Sequence, residues 1–176
     1  MGKRSNFERI ERDFYPTPRE AVLPLSSYTL SLRQFDNYAE VCAGAGDLIK
    51  HLDSLGFNCR FASDIDPQEK NIVKKDALDI SLEDLKDADC IITNPPWTRS
   101  VLHPMIDHFK RLKPTWLLFD AGWMFTKQAK EFLPYCETIL TVGRLKWIPD
   151  SKYTGKDDCC WYLFRDHEVE TRFINK

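Results

Sequence analysis

Cys90-Ile91-Ile92-Thr93-Asn94-Pro95-Pro96-Trp97 runs from a short apolar and β-branched segment straight into a loop that cannot join a sheet. A continuous apolar run of this length, bounded by turn residues, predicts a buried strand. Two consecutive prolines remove two backbone donors and fix φ, so the loop after it is stiff and its carbonyls remain free to accept. An amide and an indole flank them. Together these groups can cradle a planar amino group: Asn94 Oδ1 and a proline carbonyl accept its two hydrogens, and the Trp97 ring stacks on its plane. The same four residues would also serve as a tight strand-to-helix turn whose Trp fills the core. The surrounding sequence decides between the two.

On both sides of this loop, strand-like and helix-like segments alternate. Strands are expected at Tyr38–Cys42, Cys59–Ser63, Ile72–Lys75, Cys90–Thr93, Trp116–Phe119, Glu137–Val142 and Trp161–Phe164. Helices are expected at Asp47–Leu55, where Leu48, Leu52 and Leu55 share a face and Gly56 suits the C-cap, and at Leu82–Leu85, Leu102–Leu112 and Lys127–Leu133. An earlier helix opens at Thr17-Pro18-Arg19-Glu20 and runs to about Leu30, with Thr17 as N-cap, Pro18 at N1 and Glu20 completing a capping box. This pattern is that of an α/β fold: a mostly parallel sheet with helices on both faces. The last two strands have no helix between them and predict an antiparallel C-terminal hairpin at one edge. In such sheets ligands bind beyond the carboxyl ends of the strands, where the Gly, Pro and acidic clusters fall.

The 176 residues suit one domain with a sizeable core, preceded by a polar segment at 1–13. With 43% hydrophobic and 30% charged residues the chain is neither disordered nor membrane-embedded, and no apolar run approaches a spanning length. Met1–Asn6 is charged with no apolar stretch after it, which predicts no secretory leader. Cys42, Cys59, Cys90, Cys136, Cys159 and Cys160 show no Cys-x-x-Cys spacing, so reduced thiols and no zinc site are expected. An alternating strand should bury one of the Cys159-Cys160 pair. A net charge of −2 argues against a tail-driven nucleic-acid binder, but Arg144, Lys146, Lys152 and Lys156 cluster in the C-terminal third.

Three clusters precede the Asn94 loop. Glu40-Val41-Cys42-Ala43-Gly44-Ala45-Gly46-Asp47 places two glycines between a strand and a helix, allowing a tight turn and close approach of a ligand; it lacks the third glycine of a dinucleotide fingerprint. Ser63-Asp64-Ile65-Asp66-Pro67 ends the second strand. Asp64 there is placed to accept both hydroxyls of a ribose, and Ile65 offers an apolar face to an adenine, while Asp66 suits a turn cap. In Lys75-Asp76-Ala77-Leu78-Asp79, Asp76, or failing it Asp79, can accept from an adenine amine.

In this order, followed by Asn94-Pro95-Pro96-Trp97, these clusters resemble S-adenosylmethionine-dependent amino-methyltransferases of the Rossmann-like class. The likeness is strongest to DNA adenine-N6 methyltransferases, including the short forms carried by bacteriophages. Phe14-Tyr15-Pro16-Thr17-Pro18 resembles that family's N-terminal motif. Gly143-Arg144-Leu145-Lys146-Trp147-Ile148-Pro149, with Gly155 and Trp161-Tyr162-Leu163-Phe164, resembles its C-terminal hairpin. The resemblance spans residues 14 to 164. It implies S-adenosylmethionine as cofactor, held by Tyr15, Thr17, Glu40, Cys42, Ala43, Gly44, Gly46, Asp64, Ile65, Asp76, Ala77 and Asn94. It implies Asn94, Pro95, Pro96 and Trp97 as the catalytic loop, with Trp97 stacking on the target base. It further implies a nucleic-acid partner, DNA before RNA, and the cytoplasm of a prokaryotic or phage-infected cell.

The chain departs from that family in having no room for an inserted target-recognition domain between Asp76 and Asn94. One catalytic domain over 14–176 is therefore expected, relying for selectivity on loops, a dimer, an accessory protein or a single-stranded substrate. Similar loops serve enzymes acting on RNA bases and on protein glutamine amides, and a non-catalytic cofactor-binding module is the alternative of a different class. Trp123, Phe125 and Trp147 are candidates for the target pocket, with at least two of them expected in the core.

Overall fold

A computed structural model describes residues 15–32, 35–148 and 152–175. The polar segment 1–13, Phe14 and Pro149 lie outside the described residues. The strands are β1 (Asn37–Glu40), β2 (Asn58–Asp64), β3 (Val73–Lys74), β4 (Cys90–Thr93), β5 (Thr115–Asp120), β6 (Cys136–Arg144), β7 (Asp158–Phe164) and β8 (Arg172–Ile174). The helices are α1 (Arg19–Leu32), α2 (Asp47–Asp53) and α3 (Arg99–Leu112). One sheet contains all the strands in the order β3-β2-β1-β4-β5-β7-β6-β8. β3, β2, β1, β4 and β5 pair in parallel, and β7 runs antiparallel to both β5 and β6.

Period-two alternation in the central strands builds two cores. Cys90, Ile92, Trp116, Leu118, Trp161 and Leu163 face α1 and α2, meeting Ala21, Val22, Leu25, Leu48 and Leu52. Ile91, Leu117, Phe119, Cys160, Tyr162 and Phe164 face the other way, onto Leu102, Met105, Ile106 and Phe109 of α3 and onto Trp123 and Phe132. Central strands covered on both faces read as unbroken apolar runs. That is why Cys159 and Cys160 are both buried, at 1% and 2% exposure, rather than one of them. All six cysteines are unpaired.

Other expectations shift for physical reasons. The hairpin of β6 and β7 forms but does not lie at the sheet edge, because β8, short and undetected in sequence, adds in parallel to β6. Leu82–Leu85 is a set of hydrogen-bonded turns rather than a helix. Asp84 accepts from Ser81 Oγ (2.7 Å), the Ser81 N–H (2.8 Å) and Lys75 Nζ (2.7 Å), which fixes the turn locally. Lys127–Leu133 winds as 3-10 turns at Lys127–Glu131 and Leu133–Tyr135, preceded by another at Ala121–Phe125. Thr17 does not cap α1. The Ala21 N–H reaches the Pro18 carbonyl instead (3.0 Å), and the Thr17 hydroxyl is used elsewhere. Of the three aromatics named as pocket candidates, only Trp123 is buried; Trp147 is half-buried and Phe125 is 86% exposed.

Because β6 is parallel to β5, the loops after β1, β2, β4, β5 and β6 all leave the same edge of the sheet. No described helix is long and apolar enough to cross a membrane.

Candidate active site

A cleft of about 1040 Å³ opens at that edge, between the loop after β1 and the loop after β4. The β1 loop is shaped by its own backbone. Gly44 and Gly46 sit at φ 51° and 76°, the left-handed region that costs a side chain energy, and Gly46 opens α2. The Gly44 N–H donates to Asp64 Oδ2 (2.8 Å), and the Asp66 N–H donates to Asp64 Oδ1 (2.8 Å). The Gln68 N–H reaches the Gly44 carbonyl (3.0 Å). Asp64 is thus gripped through one lone pair on each oxygen, with the others left to accept from a ligand. Asp76 caps the 3-10 turn Ala77–Asp79 by accepting from the Leu78 N–H (2.9 Å).

The Asn94 side chain is held by two distant residues. Its Nδ2 donates to Thr17 Oγ1 (3.2 Å), and its Oδ1 accepts from Trp97 Nε1 (3.2 Å), whose hydrogen is shared with the Leu118 carbonyl (3.2 Å). An indole nitrogen only donates, so the atom facing it must be the amide oxygen. The amide orientation is therefore set, and Oδ1 keeps a second lone pair. Trp97 packs against both cores and meets Trp147 edge-on (centroids 5.5 Å, 86°), while Tyr15 meets Trp147 in turn (6.4 Å). Trp147 is admitted there by Gly155: a Cβ on Gly155 would stand 3.1 Å from Trp147 Cδ1 and 3.2 Å from the Leu145 carbonyl.

Glu40 joins the two sides. It is 1% exposed, and its Oε1 accepts from the Cys42 N–H (2.9 Å) and the Thr93 hydroxyl, tying the end of β1 to the residue before Asn94. Burial pushes its carboxyl up to about 8, against the opposing effect of those donors. Its Oε2 is buried with no hydrogen-bond partner among the described residues.

Tyr15, Thr17, Cys42, Ala43, Gly44, Asp64, Ile65, Asp76, Ala77, Asn94 and Pro96 all line the cleft. Glu40, Gly46, Pro95 and Trp97 do not, and each is engaged elsewhere: Glu40 with Thr93, Gly46 in the start of α2, Pro95 by burial and Trp97 with Asn94 and Leu118. Asp79, the fallback to Asp76, is also outside it. Thr98, Ser100, Val101 and Met105 line it without having been anticipated. Their signal was positional, since they directly follow the Asn94 loop and Val101 and Met105 share a helix face.

The charge of the cleft is one-sided. Asp47, Asp64, Asp66 and Asp76 line it, and among the described residues no Lys or Arg does. Such a site repels phosphate and favours a cation. No group of three or more His, Cys, Asp or Glu among the described residues is arranged to hold a metal ion.

No protein-family model matches the chain, and no curated protein matches it in sequence. Solved structures match in fold. A Pyrococcus horikoshii protein provisionally named an RNA methyltransferase superposes with a TM-score of 0.65 at 18% identity, covering 94% of this chain and 91% of its own. A Listeria monocytogenes protein provisionally named a class I S-adenosylmethionine-dependent methyltransferase gives 0.58 at 12% identity, covering 97% and 68%. A modification subunit of a provisionally named type I restriction enzyme from Vibrio vulnificus gives 0.52 at 13%, covering 92% of this chain but only 47% of that one. The chain therefore has the Rossmann-like methyltransferase fold, a mostly parallel sheet with an antiparallel strand inserted beside β5.

Proposed function

We propose that this protein is an S-adenosylmethionine-dependent methyltransferase acting on an exocyclic amino group, adenine N6 in DNA before other targets. The observation that carries the reading is Asn94: an amide oxygen of fixed orientation, with a lone pair to spare, on the wall of an acidic cleft that accepts a cation.

The residues present fit this cofactor. Asp64 retains lone pairs for a ribose diol, Ile65 is 53% exposed beside it as an apolar face for an adenine, and Asp76 lies along the same wall to accept an amine. The four aspartates of the described lining suit a nucleoside with a cationic tail better than a pyrophosphate-bearing dinucleotide. When bound, S-adenosylmethionine supplies an electrophilic sulfonium methyl. The chain's own residues then have positioning roles. Asn94 Oδ1 takes one amine hydrogen and the carbonyl of Pro95, buried between the cleft-lining Asn94 and Pro96, is the proposed acceptor of the other, which favours a pyramidal nitrogen with its lone pair turned toward the cleft. Thr17 and Trp97 keep the amide from rotating. Glu40 keeps the two loops in register. Little acid–base catalysis is required, and orientation provides most of the acceleration.

We read residues 14–176 as one catalytic domain acting in the cytoplasm of a prokaryotic or phage-infected cell. The test is calorimetry with S-adenosylmethionine, followed by transfer of labelled methyl to bulk DNA and RNA. Binding with label in adenine of DNA is the expected result. Label in RNA, or in protein glutamine, would reassign the acceptor. No binding would remove the reading.

A further inference from the structure

Two histidines of α3 make hydrogen bonds of opposite sense. His108 Nε2 lies 2.8 Å from the Ile80 carbonyl, so it must donate, and it donates in either protonation state. That contact ties α3 to the segment that Asp76 caps. His103 Nε2 lies 3.0 Å from Trp123 Nε1. An indole nitrogen only donates, so this ring nitrogen must accept, which requires a neutral imidazole with its proton on Nδ1. That contact ties α3 to the 3-10 turn Ala121–Phe125 after β5.

Trp123 has no room to adjust. Its ring is 2% exposed and is packed against Phe119 (centroids 5.0 Å, 89°) and Tyr162 (5.4 Å, 77°). His103 is half-buried, with its ring tilted over Phe132 (4.7 Å). The charged groups facing it are Arg99 and Asp107, one turn away on either side along α3, and Glu131 from the 3-10 turn Lys127–Glu131. Burial, and after it Arg99, hold His103 below its ordinary value of 6.5, while Glu131 and Asp107 oppose them. A proton on Nε2 would set two donors against each other and leave the Trp123 N–H buried without an acceptor, at its full desolvation cost. A second tie to the same segment, Arg99 Nη1 to Gln128 Oε1 (2.7 Å), does not depend on a titrating acceptor, but it lies at the surface. Ser100, Val101 and Met105, which line the cleft, lie within one turn of His103, and α3 starts directly after the Asn94 loop.

We infer that His103 is a positioning residue: its neutral form seats the first turns of α3 against Trp123 and so sets the wall of the cleft beside Asn94, and protonation releases that wall on the β5 side while His108 still holds the Asp76 side. The seating is a property of the fold. Only its effect on turnover rests on the methyltransferase reading.

Nuclear magnetic resonance separates the two. The His103 Cε1–H, the Trp123 Nε1–H and the Ser100 and Val101 backbone amides are followed as the pH falls through the histidine range, on the full chain without cofactor or substrate. All should move with one midpoint, below 6.5. His103→Gln, whose Oε1 replaces Nε2 with an acceptor that does not titrate, should abolish the movement of the Trp123 N–H and of the two cleft amides. In transfer assays the wild-type kcat should fall about tenfold across the same midpoint, the loss of about one buried hydrogen bond. His103→Gln should keep its neutral-pH rate throughout, and His103→Leu, with no acceptor, should run about tenfold low at every pH. A Trp123 N–H that ignores the His103 titration, or cleft amides that still move at the wild-type midpoint in His103→Gln, would overturn the inference. A protein without transfer activity removes the methyltransferase reading instead, and the resonances still decide the seating. His103→Gln retains the buried hydrogen bond, so the test holds even where His103→Leu does not fold.

Discussion

On one side of the cleft Asp64 is held by backbone: the Gly44 and Asp66 N–H groups grip it over a turn that two glycines allow. On the other side Asn94 is held by side chains, Thr17 from the segment before α1 and Trp97 from its own loop, the latter also anchored on the Leu118 carbonyl of β5. The first arrangement follows from local sequence and tolerates change nearby. The second depends on three chain segments meeting, and one lost hydrogen bond frees the amide to rotate. The Asp64 side of the cleft is therefore a property of a turn, and the Asn94 side a property of the whole sheet edge.

This contrast can be broken by substitution. Asn94→Ala should have the largest effect, lowering the rate of transfer by about 10²–10³-fold while leaving cofactor affinity nearly intact, as expected when a preorganised polar group is lost. Steady-state kinetics together with calorimetry would show it, and retained turnover would sink the assigned role. Asp64→Ala should do the reverse, weakening cofactor binding by about 10–100-fold, the usual worth of hydrogen bonds to a charged group. Unchanged affinity would place the ribose contact elsewhere. Thr17→Val and Trp97→Phe each remove one partner of Asn94 while keeping shape. Each should lower kcat by about tenfold, consistent with a net hydrogen bond of about 1 kcal/mol. Thr17→Ser should restore the rate. Were Trp97 only a stacking platform for the target base, Phe in its place would retain kcat.

The smallest effect concerns the link between the halves. Burial holds the Glu40 carboxyl near 8, above its ordinary value of 4.5, so the folded protein retains a proton that the unfolded chain has lost. The sign follows: stability is highest below about 4.5 and declines as the pH rises toward about 8. Glu40→Gln should flatten that decline in thermal melts, with each kcal/mol worth about 2–4 °C in Tm. An unaltered pH profile would show that Glu40 is not the group responsible.

Much of the fold was legible because central strands buried on both faces are continuous apolar runs. Cys90–Thr93 has the boundaries its sequence suggests, and Trp116–Phe119 lies within β5. β8 was not legible, since Arg172-Phe173-Ile174 is short, mostly exposed and defined only by its pairing to β6. In the site, Gly44, Asp64, Asp76 and Asn94 stood out because each sits where a strand ends, and the cleft collects them. Thr17 was visible as a capping residue, yet its hydroxyl serves Asn94 across 77 positions, a contact that no local pattern encodes. Trp97 was read as a ring for stacking. Its partly buried ring packs against both cores and its N–H orients the Asn94 amide, and this depends on where Leu118 and Trp147 lie.

The central claim is that Asn94 presents an amino group to a methyl donor in the acidic cleft. The most direct measurement is mass spectrometry of nucleosides from DNA and RNA incubated with isotope-labelled S-adenosylmethionine and either the wild-type protein or Asn94→Ala. The account predicts labelled N6-methyladenine with the wild type and about 10²–10³-fold less with the variant. Label on a ring carbon or a ribose oxygen, or equal label with Asn94→Ala, would contradict it.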